Sequence, residues 1–158
     1  MRVKGHVFSG VLRGQPLIDI YFHRIVGLLG FEPFRGTMDV ELDKPIDIQM
    51  FATKEIEHVL MDGAKRTEAH LAPVDLIFSG EGGEERYRCW AMQQLEGPYG
   101  KDVVEIIAKD RLSDKFHLAE GREIEIEFFE LPNHDRKNFV SSLGRLVSRR
   151  KAQLMKGK

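Results

Sequence analysis

The sequence predicts a small, mostly β fold, and three observations predict it. Short runs of alternating or apolar residues follow one another along most of the chain, with only a few stretches of helical spacing between them. The segment Arg122-Glu123-Ile124-Glu125-Ile126-Glu127-Phe128 alternates charged and apolar residues without a break, as a strand with one buried face does. Glu81-Gly82-Gly83-Glu84 is a hairpin turn between two such runs. Many short strands with few helices argue a small β-barrel.

The elements follow in order. Residues 2–9 read as the first strand, with Val3, Gly5 and Val7 on one face and Lys4 and His6 on the other. Residues 18–29 read as a helix, since Leu17, Tyr21, Ile25 and Leu28 form one stripe and Asp19, His23 and Arg24 lie toward the other face. Gly30 suits its C-terminus. Strands are expected at 36–42, 46–51, 55–61, 67–78, 85–94 and 102–108. A short helix is expected at 110–117, with Asp110 as its N-cap, before the strand at 122–128. After Leu131-Pro132-Asn133 the chain turns basic, and Phe139, Leu143, Leu146, Val147 and Leu154 recur at near-helical spacing. The expected organisation is therefore a barrel domain over 1–131 and a basic, amphipathic helical extension over 132–158.

Composition narrows the class. The 158 residues suffice for one core, and 42% hydrophobic with 31% charged is ordinary for a globular protein. A net charge of −1 gives no bulk attraction to nucleic acid or membrane, although the basic tail leaves a nucleic-acid contact open. The single cysteine, Cys89, excludes an intrachain disulfide and a cysteine-based metal site, and beside Trp90 it reads as a buried small hydrophobe. No apolar run reaches the length of a membrane span and no signal-peptide core is evident, so a cytoplasmic protein, taken as a monomer, is the expectation. The six histidines have no metal-ligand spacing, and Ser9 sits in a Ser-Gly loop unlike a nucleophile elbow.

Two segments carry candidate chemistry. Thr37 and Asp39 lie two apart at the start of a strand, so a hydroxyl and a carboxylate point to one face. Such a pair can seat a hard cation like Mg²⁺, which takes oxygen ligands and keeps waters and substrate phosphates as the rest of its shell. The competing reading is a Gly-Thr turn followed by an exposed Asp. The loop Gly10-Val11-Leu12-Arg13-Gly14 follows the first strand, and its glycines let backbone N–H groups approach an anion. It is neither a Walker A loop nor a dinucleotide fingerprint, and a plain connector competes with the anion-binding reading.

Taken together, Val7-Phe8-Ser9-Gly10, the run Leu29-Gly30-Phe31-Glu32-Pro33-Phe34-Arg35-Gly36-Thr37, the run Val104-Glu105-Ile106-Ile107-Ala108, and Leu118 with Gly121 occur in an order that resembles the archaeal CTP-dependent riboflavin kinases. The resemblance covers roughly residues 2–129. It implies a six-stranded cradle-loop (RIFT-like) barrel with the helix packed at its side. It implies transfer of the terminal phosphoryl group of CTP to riboflavin, giving FMN and CDP with Mg²⁺. Residue by residue, it implies that Gly10, Val11, Leu12, Arg13 and Gly14 cradle the nucleotide and that Thr37 and Asp39 hold the metal ion. It further implies that Glu105 contacts the flavin beside the hydroxyl to be phosphorylated, where a carboxylate can orient that hydroxyl and accept its proton. Arg111, Leu112, Ser113 and Asp114 match a nucleotide-contacting segment, and Gly97 and Tyr99 a flavin-holding one.

Several positions depart from the family pattern. The family usually has Asn where Asp39 stands; the added charge favours a cation and opposes incoming phosphates. Arg13 stands where an acidic residue is common, and it can compensate by contacting a phosphate. Ser113 and Asp114 replace an Arg-Glu pair. Gly97-Pro98-Tyr99 keeps the tyrosine of a Thr-x-Tyr setting and loses the threonine hydroxyl, worth about 1 kcal/mol as a hydrogen bond. On periodicity alone, Glu105 reads as a strand Glu on a solvent face. Two alternatives therefore stay open: a kinase of another small alcohol or a flavin and nucleotide binder without turnover, and a nucleic-acid-binding regulator acting through the tail.

Overall fold

The computed structural model describes residues 1–9 and 14–130. The expected extension over 132–158 and the loop residues Gly10, Val11, Leu12 and Arg13 lie outside the described residues. The strands are β1 (Arg2–Phe8), β2 (Met38–Leu42), β3 (Lys54–Val59), β4 (Lys65–Gly80), β5 (Gly83–Gln94), β6 (Val103–Ile107) and β7 (Glu123–Phe128), and the helices α1 (Gly14–Ile20), α2 (Phe22–Leu29) and α3 (Leu112–Lys115).

Every strand pairing is antiparallel. The strand order is β3-β4-β5-β6-β2-β1-β7, and β7 pairs back onto β4. Six strands thus close on themselves, as expected, and β3 is a seventh added outside the ring. The 16-residue β4 makes this possible by changing partner along its length. Its first half pairs with β3 as far as Leu71, and Val74 to Ile77 pair with β7. Pro73, which has no N–H to donate, falls in the gap between those two ladders.

Alternation divides the apolar residues between two cores. Val7, Val40, Val74, Leu76, Val104, Ile106, Ile124 and Ile126 fill the barrel interior, together with Phe128. Ile18 and Ile25 of the helices pack outside the barrel on Ile56, Leu71, Met92 and Ile107. Each such burial is worth roughly 1.5–3 kcal/mol. Cys89 is 2% exposed within the barrel core, and burial pushes its thiol pKa up, as suits a small hydrophobe.

Three local expectations are corrected. The helix expected over 18–29 is two helices meeting at Tyr21, whose backbone (φ −106, ψ 19) leaves helical geometry while its hydroxyl bonds His58 Nδ1 at 3.0 Å. Gly30 does end the second helix in the left-handed region, its N–H donating to the Val26 carbonyl. The strand expected at 46–51 is a 3₁₀ turn over Ile48–Met50. Pro45 removes a donor there, and Asp47 accepts from the Gln49 N–H at 3.1 Å, a local bond that competes with a ladder. Gln93 stands in for the missing strand partner, accepting from the Ile48 N–H and donating to the Ile46 carbonyl. The helix expected at 110–117 shrinks to the four residues of α3, with Arg111 at the N-cap, because Asp110 is engaged by Tyr87 instead.

The β1–β2 crossing depends on Gly5. A Cβ there would sit 2.7 Å from both the Glu41 carbonyl oxygen and Val40 Cγ1. Gly5→Ala is expected to destabilise the fold by about 1–3 kcal/mol, the usual cost of overpacking against backbone. Urea unfolding checks this, and an unchanged midpoint would show that the strands separate freely.

Candidate functional site

Three antiparallel strands bring the candidate groups into one row. Asp39 of β2 lies directly opposite Phe8 of β1 and Glu105 of β6, and Glu105 lies opposite Met92 of β5. Paired residues point to the same face, so two carboxylates stand side by side on the outer wall of the barrel. Both are buried: Asp39 is 5% exposed and Glu105 3%. The solvent-face reading of Glu105 is therefore overturned. The segment Gly97-Pro98-Tyr99-Gly100 folds over β6 and, with Gln94, encloses it.

The two acids are held differently. Thr37 Oγ1 donates to Asp39 Oδ1 at 3.2 Å, and the Tyr99 hydroxyl donates to Asp39 Oδ2 at 3.0 Å. Thr37 stands one residue before β2, and its side chain falls beside Asp39 as expected from the sequence. Burial raises the Asp39 pKa, and the bonds from Tyr99 and Thr37 oppose that rise. Gln94 Nε2 donates to Glu105 Oε2 at 2.9 Å, while Glu105 Oε1 is buried with no hydrogen-bond partner among the described residues. Burial pushes the Glu105 pKa to about 7; the Gln94 bond works against this and the nearby Asp39 carboxylate adds to it.

A cleft of about 540 Å³ opens at the barrel mouth beside this row. That is the size of a small-molecule site, roughly 300–1,000 Å³. Thr37 and Asp39 line it, and so do Arg111, Leu112 and Ser113. Asp114 does not; its side chain is 72% exposed and its carboxylate lies 3.7 Å from Arg111. Gly10 to Arg13 lie outside the described residues, Gly14 is the first residue of α1, and Phe8 and Ser9, just before the loop, line the cleft. Gly97, Tyr99 and Glu105 surround a second, much smaller cavity of about 10 Å³, room for one water. The Asp39–Tyr99 bond and the edge-on contact of Phe8 with Tyr99 (5.7 Å) join the two spaces.

Sequence reasoning passed over several groups here. Arg35 is one: with Arg111, already a candidate from the sequence, it is a basic side chain among the described lining residues, and it lies over the Phe22 ring at 4.1 Å. Phe34 lines the cleft too, its N–H donating to the Ala108 carbonyl at 2.8 Å. Both stand inside the run 29–37, which was a signal available to be used. Gln94 had none, since only the β5–β6 register places it at Glu105. Gly97 is explained by it as well: a Cβ there would meet Gln94 Cβ at 2.9 Å.

As a metal seat, Thr37 and Asp39 present two hard oxygens 3.2 Å apart. Among the described residues no group of three or more His, Cys, Asp or Glu is placed to hold a metal ion. Two protein oxygens beside an open cleft fit Mg²⁺, which is commonly held by one or two protein groups plus phosphates and waters. A neutral Thr and a single carboxylate would suit a soft metal poorly.

Comparison with known proteins places these residues in a family context. The family model CTP-dep_RFKase, described as "Domain of unknown function DUF120", matches residues 7–128. The chain is similar to a riboflavin kinase of Haloquadratum walsbyi, with 25% identity over 134 residues, covering 80% of this chain and 56% of that protein. It is similar to one of Archaeoglobus fulgidus, with 25% identity over 140 residues, 80% of this chain and 54% of that one. It also resembles one of Sulfurisphaera tokodaii, with 26% identity over 137 residues, 82% of this chain and 96% of that one. The chain thus spans about half the length of the first two relatives and nearly all of the third.

Glu105 makes stability depend on pH. Its folded pKa of about 7 exceeds the ordinary 4.5, so the unfolded chain releases the proton first. The stability contributed by the neutral form is full below about 4.5 and is lost as pH rises through about 7. Glu105→Gln keeps a neutral side chain throughout. Thermal melts without metal are expected to show the variant gaining on the parent from about pH 5 to about pH 8. A difference that stays constant with pH would contradict the burial assignment.

Proposed function

The chain belongs to the CTP-dependent riboflavin kinase family, whose model covers residues 7–128, and on that premise we propose that it phosphorylates riboflavin with CTP, giving FMN and CDP. The observation that carries this reading is the junction of a nucleotide-sized cleft with a buried, half-unpartnered carboxylate through Asp39 and Tyr99.

In this reading the triphosphate lies in the cleft, with the segment Arg111, Leu112 and Ser113 along it, and the loop residues Gly10–Gly14 are proposed to contact the nucleotide as the family resemblance implies. Arg35 and Arg111 supply positive charge at its wall. Thr37 and Asp39 would hold Mg²⁺, which when bound offsets the charge of the phosphates. The remaining work is positioning, which dominates phosphoryl transfer. Glu105 lines the small cavity and its buried Oε1 has no hydrogen-bond partner among the described residues, so in this reading that oxygen accepts a hydrogen bond from the incoming alcohol and orients it. With Oε2 held by Gln94, only that one oxygen is offered. A carboxyl with a pKa of about 7 is a better proton acceptor than an ordinary one, which suits a proton released as the new O–P bond forms.

The small cavity cannot hold a flavin ring as it stands. Acceptor entry therefore requires the Gly97–Gly100 segment to move off β6, and two glycines with a Pro and a Tyr between them make a short hinged flap. The loss of the family's threonine at Gly97 removes a hydrogen bond to the acceptor and leaves Tyr99 on Asp39.

Incubation with riboflavin, Mg²⁺ and CTP is expected to yield FMN and CDP, and replacement of CTP by ATP reads the donor preference. Absence of FMN with either nucleotide would favour another alcohol or simple binding. Asp39→Ala is expected to lower turnover at limiting Mg²⁺ by at least about tenfold, on the scale of lost metal-site groups, while the melting temperature holds because a buried acid is removed. Near-parental turnover at limiting Mg²⁺ would remove Asp39 from the metal site.

A further inference from the structure

Tyr87 of β5 touches both ends of α3 without entering the cleft. Its hydroxyl donates to Asp110 Oδ2 at 2.7 Å, just before the helix. Its ring meets Phe116, just after the helix, edge-on at 5.3 Å and 77°. Phe116 in turn stacks on Phe78 of β4 at 4.4 Å. The Lys115 ammonium lies 3.7 Å from the same Asp110 carboxylate and 5.8 Å from the Tyr87 ring.

This staple matters because α3 cannot hold itself. Four residues are far fewer than an isolated helix needs, and Arg111 at the N-cap makes no capping bond with its side chain. Its place is set by the buried Leu112 in the barrel core and by Tyr87. The stretch so held includes Arg111 and Ser113, which line the 540 Å³ cleft. Burial and the Asp110 bond push the Tyr87 pKa up to about 12, and the same bond lowers that of Asp110. Donor and charged acceptor therefore persist across the working pH range, and the bond is of the stronger, charge-assisted kind.

We propose that Tyr87 is a positioning residue for the phosphoryl donor, stapling α3 at both ends so that Arg111 and Ser113 meet the nucleotide. This rests on the reading of the cleft as the nucleotide site. The acceptor side, at Glu105 and Gln94, is built on β6 and the end of β5 and does not pass through α3.

The test is Tyr87→Phe in the full chain, which keeps the ring against Phe116 and removes only the hydroxyl. KM for CTP, and its Kd by calorimetry with Mg²⁺, are expected to rise roughly three- to tenfold, the scale of one charge-assisted hydrogen bond partly transmitted. The kcat at saturating CTP and KM for riboflavin are expected to stay at parental values. An unchanged KM for CTP beside a lowered melting temperature would make Tyr87 merely structural and overturn the proposal, as would a fall in kcat alone. In an Asp110→Ala background the same substitution should add no further loss; an additive loss would show that the hydroxyl acts elsewhere. A parental protein that bound no CTP would overturn the cleft reading itself, and the proposal with it.

Discussion

Two buried carboxylates on facing strands constrain the rest of this molecule. Asp39 and Glu105 are cross-strand partners, at 5% and 3% exposure, and neither has an ion-pair partner among the described residues. Like charges directly opposite one another are unfavourable, and buried ones more so. The fold tolerates the pair because it treats the members unequally. Asp39 receives two hydroxyls, from Thr37 and Tyr99. Glu105 receives one amide, from Gln94, and stays neutral up to about pH 7. The glycine at 97 follows from this, since a Cβ there would press on Gln94.

The barrel supplies the registers that make the pair. Closure needs one strand to serve two ladders, and β4 does so by changing partner around Pro73. With β3 placed outside the ring, the helices have an apolar platform of Ile56, Leu71, Met92 and Ile107 on which to pack. That packing covers Ile107 on the outer face of β6, while Val104 and Ile106 face the barrel interior and Glu105 is covered by Gln94 and the Gly97–Gly100 segment, so all five residues of β6 are buried. The cleft forms where the covering stops, between the end of β1, the start of β2 and α3.

Rigidity is distributed unevenly around the site. The acids sit on strands with cores on both sides, whereas α3 and the Gly97–Gly100 segment depend on a few side chains each. For the proposed reaction this is a sensible division. The groups that orient the reacting atoms are fixed, and those that admit donor and acceptor are held by contacts that can be exchanged.

By itself the sequence determined the strand-rich class, the alternating faces of β1 and β7, the helix stop at Gly30, the convergence of Thr37 with Asp39, and the runs that point to the family. These are legible because they rest on local rules: a period of two, a glycine tolerant of positive φ, and a contiguous motif. Tertiary structure alone decided the burial of Glu105, the roles of Gln94 and Tyr87, the 3₁₀ turn at Ile48–Met50 and the shortening of α3. Each of those involves a partner elsewhere in the chain, even at Ile48–Met50, where Pro45 and the Asp47–Gln49 bond act locally. Gln93 reaches back 47 residues to Ile46, and Tyr87 reaches 23 forward to Asp110. Such pairings are set by sheet register, which no window of neighbouring residues encodes.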